Sequence, residues 1–116
     1  MRIKKAIPER RLELYDQLIA GHSDIKRKGK KLPYTSHNGH MFTVFSDSGQ
    51  LGFRLSKEDR IAFLEKYQTT LLHSYGAVMK EYVVIPDELL EDQLAMTELL
   101  KKSYHYISSL KLKTTK

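Results

Sequence analysis

A chain of 116 residues, 41% hydrophobic and 29% charged, is long enough to bury one core and too short for two independent domains. It has no cysteine, which excludes a disulfide framework, a thiolate zinc site and a cysteine nucleophile, and which suits a reducing compartment. The net charge is +6, and residues 1–31 hold 10 basic and 4 acidic side chains, so the whole excess lies in the first quarter of the chain.

The chain opens MRIKKAIPERR. Its basic residues are followed by Pro8, Glu9, Arg10 and Arg11 rather than by an apolar run, so no secretory leader is expected. Ile7 to Ala20 predicts the first helix, with Pro8 at N1, Glu9 in the first turn and Gly21 as the stop. Leu12, Tyr15, Leu18 and Ile19 share one face at helical spacing, leaving Arg10, Glu13 and Gln17 outward. Residues 22–31 read as an exposed connector that completes a basic segment, 1–31.

Three strands follow. Pro33 to His37 ends at Asn38-Gly39, a strong two-residue hairpin signal because both residues tolerate positive φ. Met41 to Phe45 shows no clean alternation and reads as a central strand covered on both sides. After a turn at Asp47-Ser48-Gly49, Leu51, Phe53 and Leu55 alternate with Gly52 and Arg54, which predicts one apolar face and one facing solvent or a partner.

Ser56 with Asp59 three residues on predicts a helix start, and Ile61, Ala62, Phe63 and Leu64 give that helix a buried face to about Tyr67. Thr69 to His73 reads as a short strand, Tyr75-Gly76 as a turn and Val78 to Ile85 as a longer strand. Pro86 ends it. Asp87, Glu88, Glu91 and Asp92 suit the positive end of one final helix running to about Leu110, with Leu99, Leu100, Tyr104 and Ile107 in one stripe. Residues 111–116 read as a frayed tail. The result is a single α+β domain over 1–116, two-layered, in the order α-β-β-β-α-β-β-α with an antiparallel sheet.

The longest strongly apolar run, Tyr82-Val83-Val84-Ile85, is far short of the ~20 residues of a membrane span, so a cytoplasmic chain without membrane contact is expected. No nucleophile elbow, P-loop, dinucleotide fingerprint or H-E-x-x-H occurs, and neither a catalytic residue nor a cofactor is expected.

Three groups of residues carry the remaining functional options. The basic block Lys26, Arg27, Lys28, Lys30 and Lys31 reads either as a solvated linker or as a polyanion contact, without interleaved aromatics to stack on bases. His37 and His40 flank the Asn38-Gly39 turn, which would set them across from each other with Cβ atoms about 5 Å apart. They read as polar hairpin ends, as two of the ligands of a metal, or as part of a ligand pocket. Tyr34, Tyr75 and Tyr82 lie in or beside the sheet and read as packing or as pocket walls, giving Tyr34, His37, His40 and Tyr82 as the candidate pocket. His22 in the connector and His105 on the last helix read as surface residues.

Asn38-Gly39-His40-Met41-Phe42, the run Gly49 to Leu55, and above all the block Gly76 to Asp92 (GAVMKEYVVIPDELLED) resemble the TfoX N-terminal domain family, over roughly residues 33–110. The resemblance implies a fold like that of secretion chaperones, with helices packed on a five-stranded antiparallel sheet. TfoX-like proteins regulate competence for DNA uptake and carry a second, C-terminal domain, so the likeness here is to a stand-alone N-terminal domain. Leu32-Pro33-Tyr34-Thr35-Ser36 stands where members carry a Met-Phe-Gly segment, and the family brings no catalytic residues. The leading expectation is a non-enzymatic interaction or regulatory module that binds a protein partner, or itself, through a sheet face or an edge strand. Nucleic-acid binding by the basic block is the first alternative. A small-ligand or metal site near His37 and His40 is the second.

Overall fold

The computed structural model describes residues 7–22, 24–29 and 32–110; the segment read as a tail, and Lys30 and Lys31, lie outside these. Nine elements follow one another: α1 (Glu9–Ala20), β1 (Tyr34–His37), β2 (His40–Phe45), β3 (Leu51–Arg54), α2 (Lys57–Tyr67), β4 (Leu71–Ser74), β5 (Ala77–Val84), α3 (Asp87–Leu90) and α4 (Gln93–Ser108). The protein is α+β, with a five-stranded antiparallel sheet in the order β1-β2-β3-β5-β4. The expected sequence of elements stands, with one helix more than expected.

Asn38 and Gly39 both take positive φ, 54° and 82°, and join β1 to β2 with His37 opposite His40. The pairing jumps from Thr35↔Thr43 to Ser36↔Met41, leaving Phe42 as the extra residue of a bulge. The bulge turns Phe42 to the same side as Phe45, so both enter the main core although three positions separate them. That explains the missing alternation in β2, which is covered on both sides but second in the sheet; the central strand is β3.

The helices cover one face. Phe42, Phe45, Leu51, Phe53, Leu55, Val83 and Ile85 from the sheet pack with Leu14, Tyr15, Leu18 and Ile19 of α1, Phe63 of α2, and Met96, Leu99, Leu100 and Ile107 of α4. In α1 the buried face includes Leu14, while Leu12 is only partly covered; Pro8 is the N-cap rather than N1. At the centre, Tyr15 Oη and Thr43 Oγ1 lie 2.7 Å apart and Thr43 Oγ1 and Thr35 Oγ1 another 2.7 Å, so these buried hydroxyls satisfy one another.

Two helices differ from the sequence reading. Ser56 caps α2, accepting from the Asp59 N–H at 3.3 Å, but Phe63 is the helix's one fully buried residue, and Ile61 and Ala62 face outward. The final helix is broken at Glu91 and Asp92. Asp92 caps α4 by accepting from the Ala95 N–H at 3.2 Å, which frees α3 to take its own direction. The acidic residues there serve α1: Arg11 makes a two-pronged contact with Asp87 at 2.9 and 3.0 Å, and Arg10 does the same with Glu91 at 3.1 and 2.8 Å. Arg11 also donates to the Gly49 carbonyl at 2.6 Å, so one side chain ties α1, α3 and the β2–β3 turn together.

Candidate functional site: the second face and the sheet edges

Successive strand residues point to opposite faces, so Tyr34, Val44, Gly52, Tyr82 and Val84 emerge on the side away from the helices. The sequence leaves this side to solvent or a partner. The structure closes much of it with the chain's own β4–β5 arm. Leu71 pairs with Val83 but Leu72 with Met79, so Lys80, Glu81 and Tyr82 of β5 fall within a jump of register and the arm bends there. Leu72 is fully buried above Gly52, where an added Cβ would meet its Cδ2 at 2.6 Å. Val44, Leu72 and Tyr82 form a second, smaller buried cluster, with Tyr34, Met41, Met79 and Val84 partly buried around it. Two bonds hold the arm's end over the β2–β3 turn: the Asp47 N–H donates to Ser74 Oγ at 3.2 Å, and the Tyr75 N–H donates to Asp47 Oδ1 at 3.0 Å.

The candidate pocket residues divide between the two faces. Tyr34 and Tyr82 share the second cluster, and the Tyr82 hydroxyl, pushed up by burial, donates to the Met41 carbonyl at 2.6 Å. His37 lies on the helix side, its ring 4.7 Å from that of Tyr104 on α4. His40 stands opposite His37 in the ladder. The four therefore do not converge on one space, because positions 34 and 37 are of opposite parity along β1. Among the described residues no group of three or more His, Asp or Glu is arranged to hold a metal ion.

In the basic block, Arg27 is held 2.7 Å from Asp16, and Lys28 lies beside β1. Lys28 exchanges both main-chain hydrogen bonds with Tyr34, at 2.8 and 3.0 Å, and its Nζ donates to Ser36 Oγ at 3.2 Å. The connector expected to be fully exposed thus covers the edge of β1, and Ile25 packs partly against the core. Lys26 is exposed. With Arg10 and Arg11 paired to Glu91 and Asp87, the three described arginines between residues 7 and 29 form no continuous row: all three are committed to carboxylates.

At the inner end of β5 a polar group closes the sheet against α4. Arg54 Nε donates to Glu81 Oε1 at 2.6 Å, and the Tyr106 hydroxyl donates to Glu81 Oε2 at 3.1 Å. Burial pushes the Glu81 carboxyl up, but the hydrogen bond and charge of Arg54 outweigh it and hold the group below its ordinary range. The partners of this group are internal to the fold.

The outer side of the arm remains. His73, Ala77, Val78 and Lys80 are exposed, and Tyr75 is 68% and Val78 46% exposed. His73 pairs with Val78, and its Nδ1 lies 3.2 Å from the Leu71 carbonyl. The two-residue turn reads from the sequence as Tyr75-Gly76, but the exposure of Val78 and Tyr75 does not, since a strand of β-branched and aromatic residues is expected to be covered. Beyond the arm, a groove of about 580 Å³ lies between the end of α1 and α4, and one of about 260 Å³ between α2 and α4. Neither is lined by Tyr34, His37, His40 or Tyr82.

Comparison with known protein families, with curated proteins and with solved structures finds no match to this chain. No helix among the described residues is long and apolar enough to cross a membrane.

Proposed function

We propose that this protein is a non-enzymatic interaction module that binds a protein partner along the outer edge of β4 and the exposed side of the β4–β5 arm. The observation that carries this reading is the asymmetry of the sheet. Its β1 edge is occupied by Lys28, while among the described residues β4 pairs only with β5, and the arm presents exposed apolar residues at and beside its tip. An edge strand is a template for another strand: main-chain bonds give affinity, and side chains beside the edge give selection. The likeness of residues 33–110 to TfoX N-terminal domains supports a regulatory rather than a catalytic role.

The test is a photo-crosslinking residue placed at Val78, with one at Gln17 on the exposed side of α1 as control, in cells that express the full chain. Adducts of defined mass from position 78, absent from position 17 and competed away by excess unmodified protein, are the expected result. Equal labelling from both positions, or none from 78, overturns the reading.

A further inference from the structure

Two histidines that read from the sequence as separate surface residues share one groove. His22 follows the end of α1, His105 lies in the last turn of α4, and both line the groove of about 580 Å³ between these elements. One wall is the connector, with His22, Asp24 and Ile25. The other is α4, where Lys101, Tyr104, His105 and Ser108 lie three or four positions apart and so share one side of the helix. The volume is that of a small-molecule site.

The groove differs from the rest of the molecule in the state of its polar groups. Elsewhere the long polar side chains are engaged: Arg10, Arg11 and Arg27 hold carboxylates, and Arg54 and Tyr106 hold Glu81. Here, among the described residues, the His22 and His105 imidazoles, the Tyr104 hydroxyl and the Asp24 carboxylate have no hydrogen-bond partner. His22 and Tyr104 are half-buried, yet no described side-chain N or O is both buried and unpartnered, so their polar atoms stay accessible. The Tyr104 ring is held against His37 at 4.7 Å and Phe42 at 5.6 Å, which fixes where its hydroxyl stands. Lys101 reaches only Glu98, at 3.7 Å with both side chains mostly exposed, a pair that water screens and a ligand can displace.

The balance of donors and acceptors sets the ligand. An ammonium, two imidazoles and two hydroxyls can donate, whereas Asp24 is the one carboxylate that lines the groove. Carbonyls at the helix ends are already engaged, Leu18 and Ile19 by the Gly21 and His22 N–H groups, His105 and Ile107 by those of Ser109 and Leu110. Lys101 and His105, one turn apart, suit a single oxyanion. Asp24 on the facing wall disfavours a second one.

We propose that this groove binds a small organic anion, its oxyanion head held by Lys101 and His105 and its uncharged body lying against Ile25, Leu100 and the Tyr104 ring. His22 and the Tyr104 hydroxyl remain to bond acceptors on the body. The site shares no residue with the β4 edge, so it stands or falls apart from the interaction reading.

Amide NMR shifts of the isotope-labelled full chain test it, with phenyl phosphate and benzoate as probes. Inorganic phosphate, acetate and benzyl alcohol supply head or body alone. At least one complete probe is expected to give saturable shifts in Gly21, His22, Ile25 and residues 100–108, and the tighter one names the head group. Head or body alone should bind about tenfold more weakly or worse. Lys101→Gln and His105→Gln should each weaken binding about tenfold with Tm unchanged, since both side chains are exposed. Lys102 lines neighbouring grooves but not this one, so Lys102→Gln removes the same charge and should leave affinity within about twofold. Four results each overturn the proposal: no saturable shift from either probe, a head alone that binds as tightly as its complete probe, Lys101→Gln and His105→Gln binding as wild type, or an equal loss in Lys102→Gln.

Discussion

Gly52 shows how a single missing methyl group shapes the second face. A Cβ there would lie 2.6 Å from Leu72 Cδ2 and 3.3 Å from Cγ, so the arm packs this closely only over glycine. Because Leu72 is fully buried, it has no open space to swing into. Gly52→Ala is therefore expected to cost about 1–3 kcal/mol by overpacking, measured by urea unfolding. The cost should largely vanish in a Leu72→Ala background, where the added methyl fills part of the cavity. Equal penalties in both backgrounds would show that the two residues do not press on each other.

At the scale of elements, the clamp between α1 and α3 separates two arginines that look alike in sequence. Arg11 is 20% exposed and holds both Asp87 and the Gly49 carbonyl, whereas Arg10 is 60% exposed and holds Glu13 and Glu91. Water screens the second set and leaves much less of the first to screen. Arg11→Gln is expected to lower stability by about 1 kcal/mol and Arg10→Gln to leave Tm unchanged, by thermal unfolding at moderate salt. The pairing was hidden in the sequence because Asp87 and Glu91 already have a local explanation at a helix start. The same local logic concealed the break at Asp92, whose capping bond to Ala95 is visible only once α3 turns away. What was legible was punctuation: Asn38-Gly39, Asp47-Ser48-Gly49, Ser56, Tyr75-Gly76 and Pro86 all mark real boundaries. Facing was harder to read, since the bulge at Phe42 and the jump between Leu71 and Leu72 each change which side a residue meets. The candidate pocket fails on simpler grounds, since Tyr34 and His37 are three apart on β1 and so face opposite sides of the sheet.

For the whole molecule, the buried hydroxyl chain sets an alkaline limit. Burial pushes the Tyr15 phenol up to about 12, against the hydrogen bond from Thr43, which favours the ionised form. The ordinary value of 10.0 applies once the chain unfolds. With the folded value raised, the stabilisation is complete below pH 10.0 and is lost as pH rises toward about 12, because only the unfolded chain ionises easily. Unfolding free energy should fall across that window. In Tyr15→Phe the fall should be shallower, on a lower baseline set by the Thr43 and Thr35 hydroxyls left behind. Phenolate absorbance followed with the circular dichroism signal would check it, and an unchanged pH slope in the variant would assign the limit to other tyrosines.

The Lys28 bridge has a consequence for growth. A sheet with two bare edges is divalent and extends copy by copy into a fibre, whereas main-chain bonds from Lys28 and its ammonium at Ser36 obstruct this sheet on the β1 side. Among the described residues only the β4 side is left open to a strand, so the described sheet is monovalent. Any association built on strand addition stops at two.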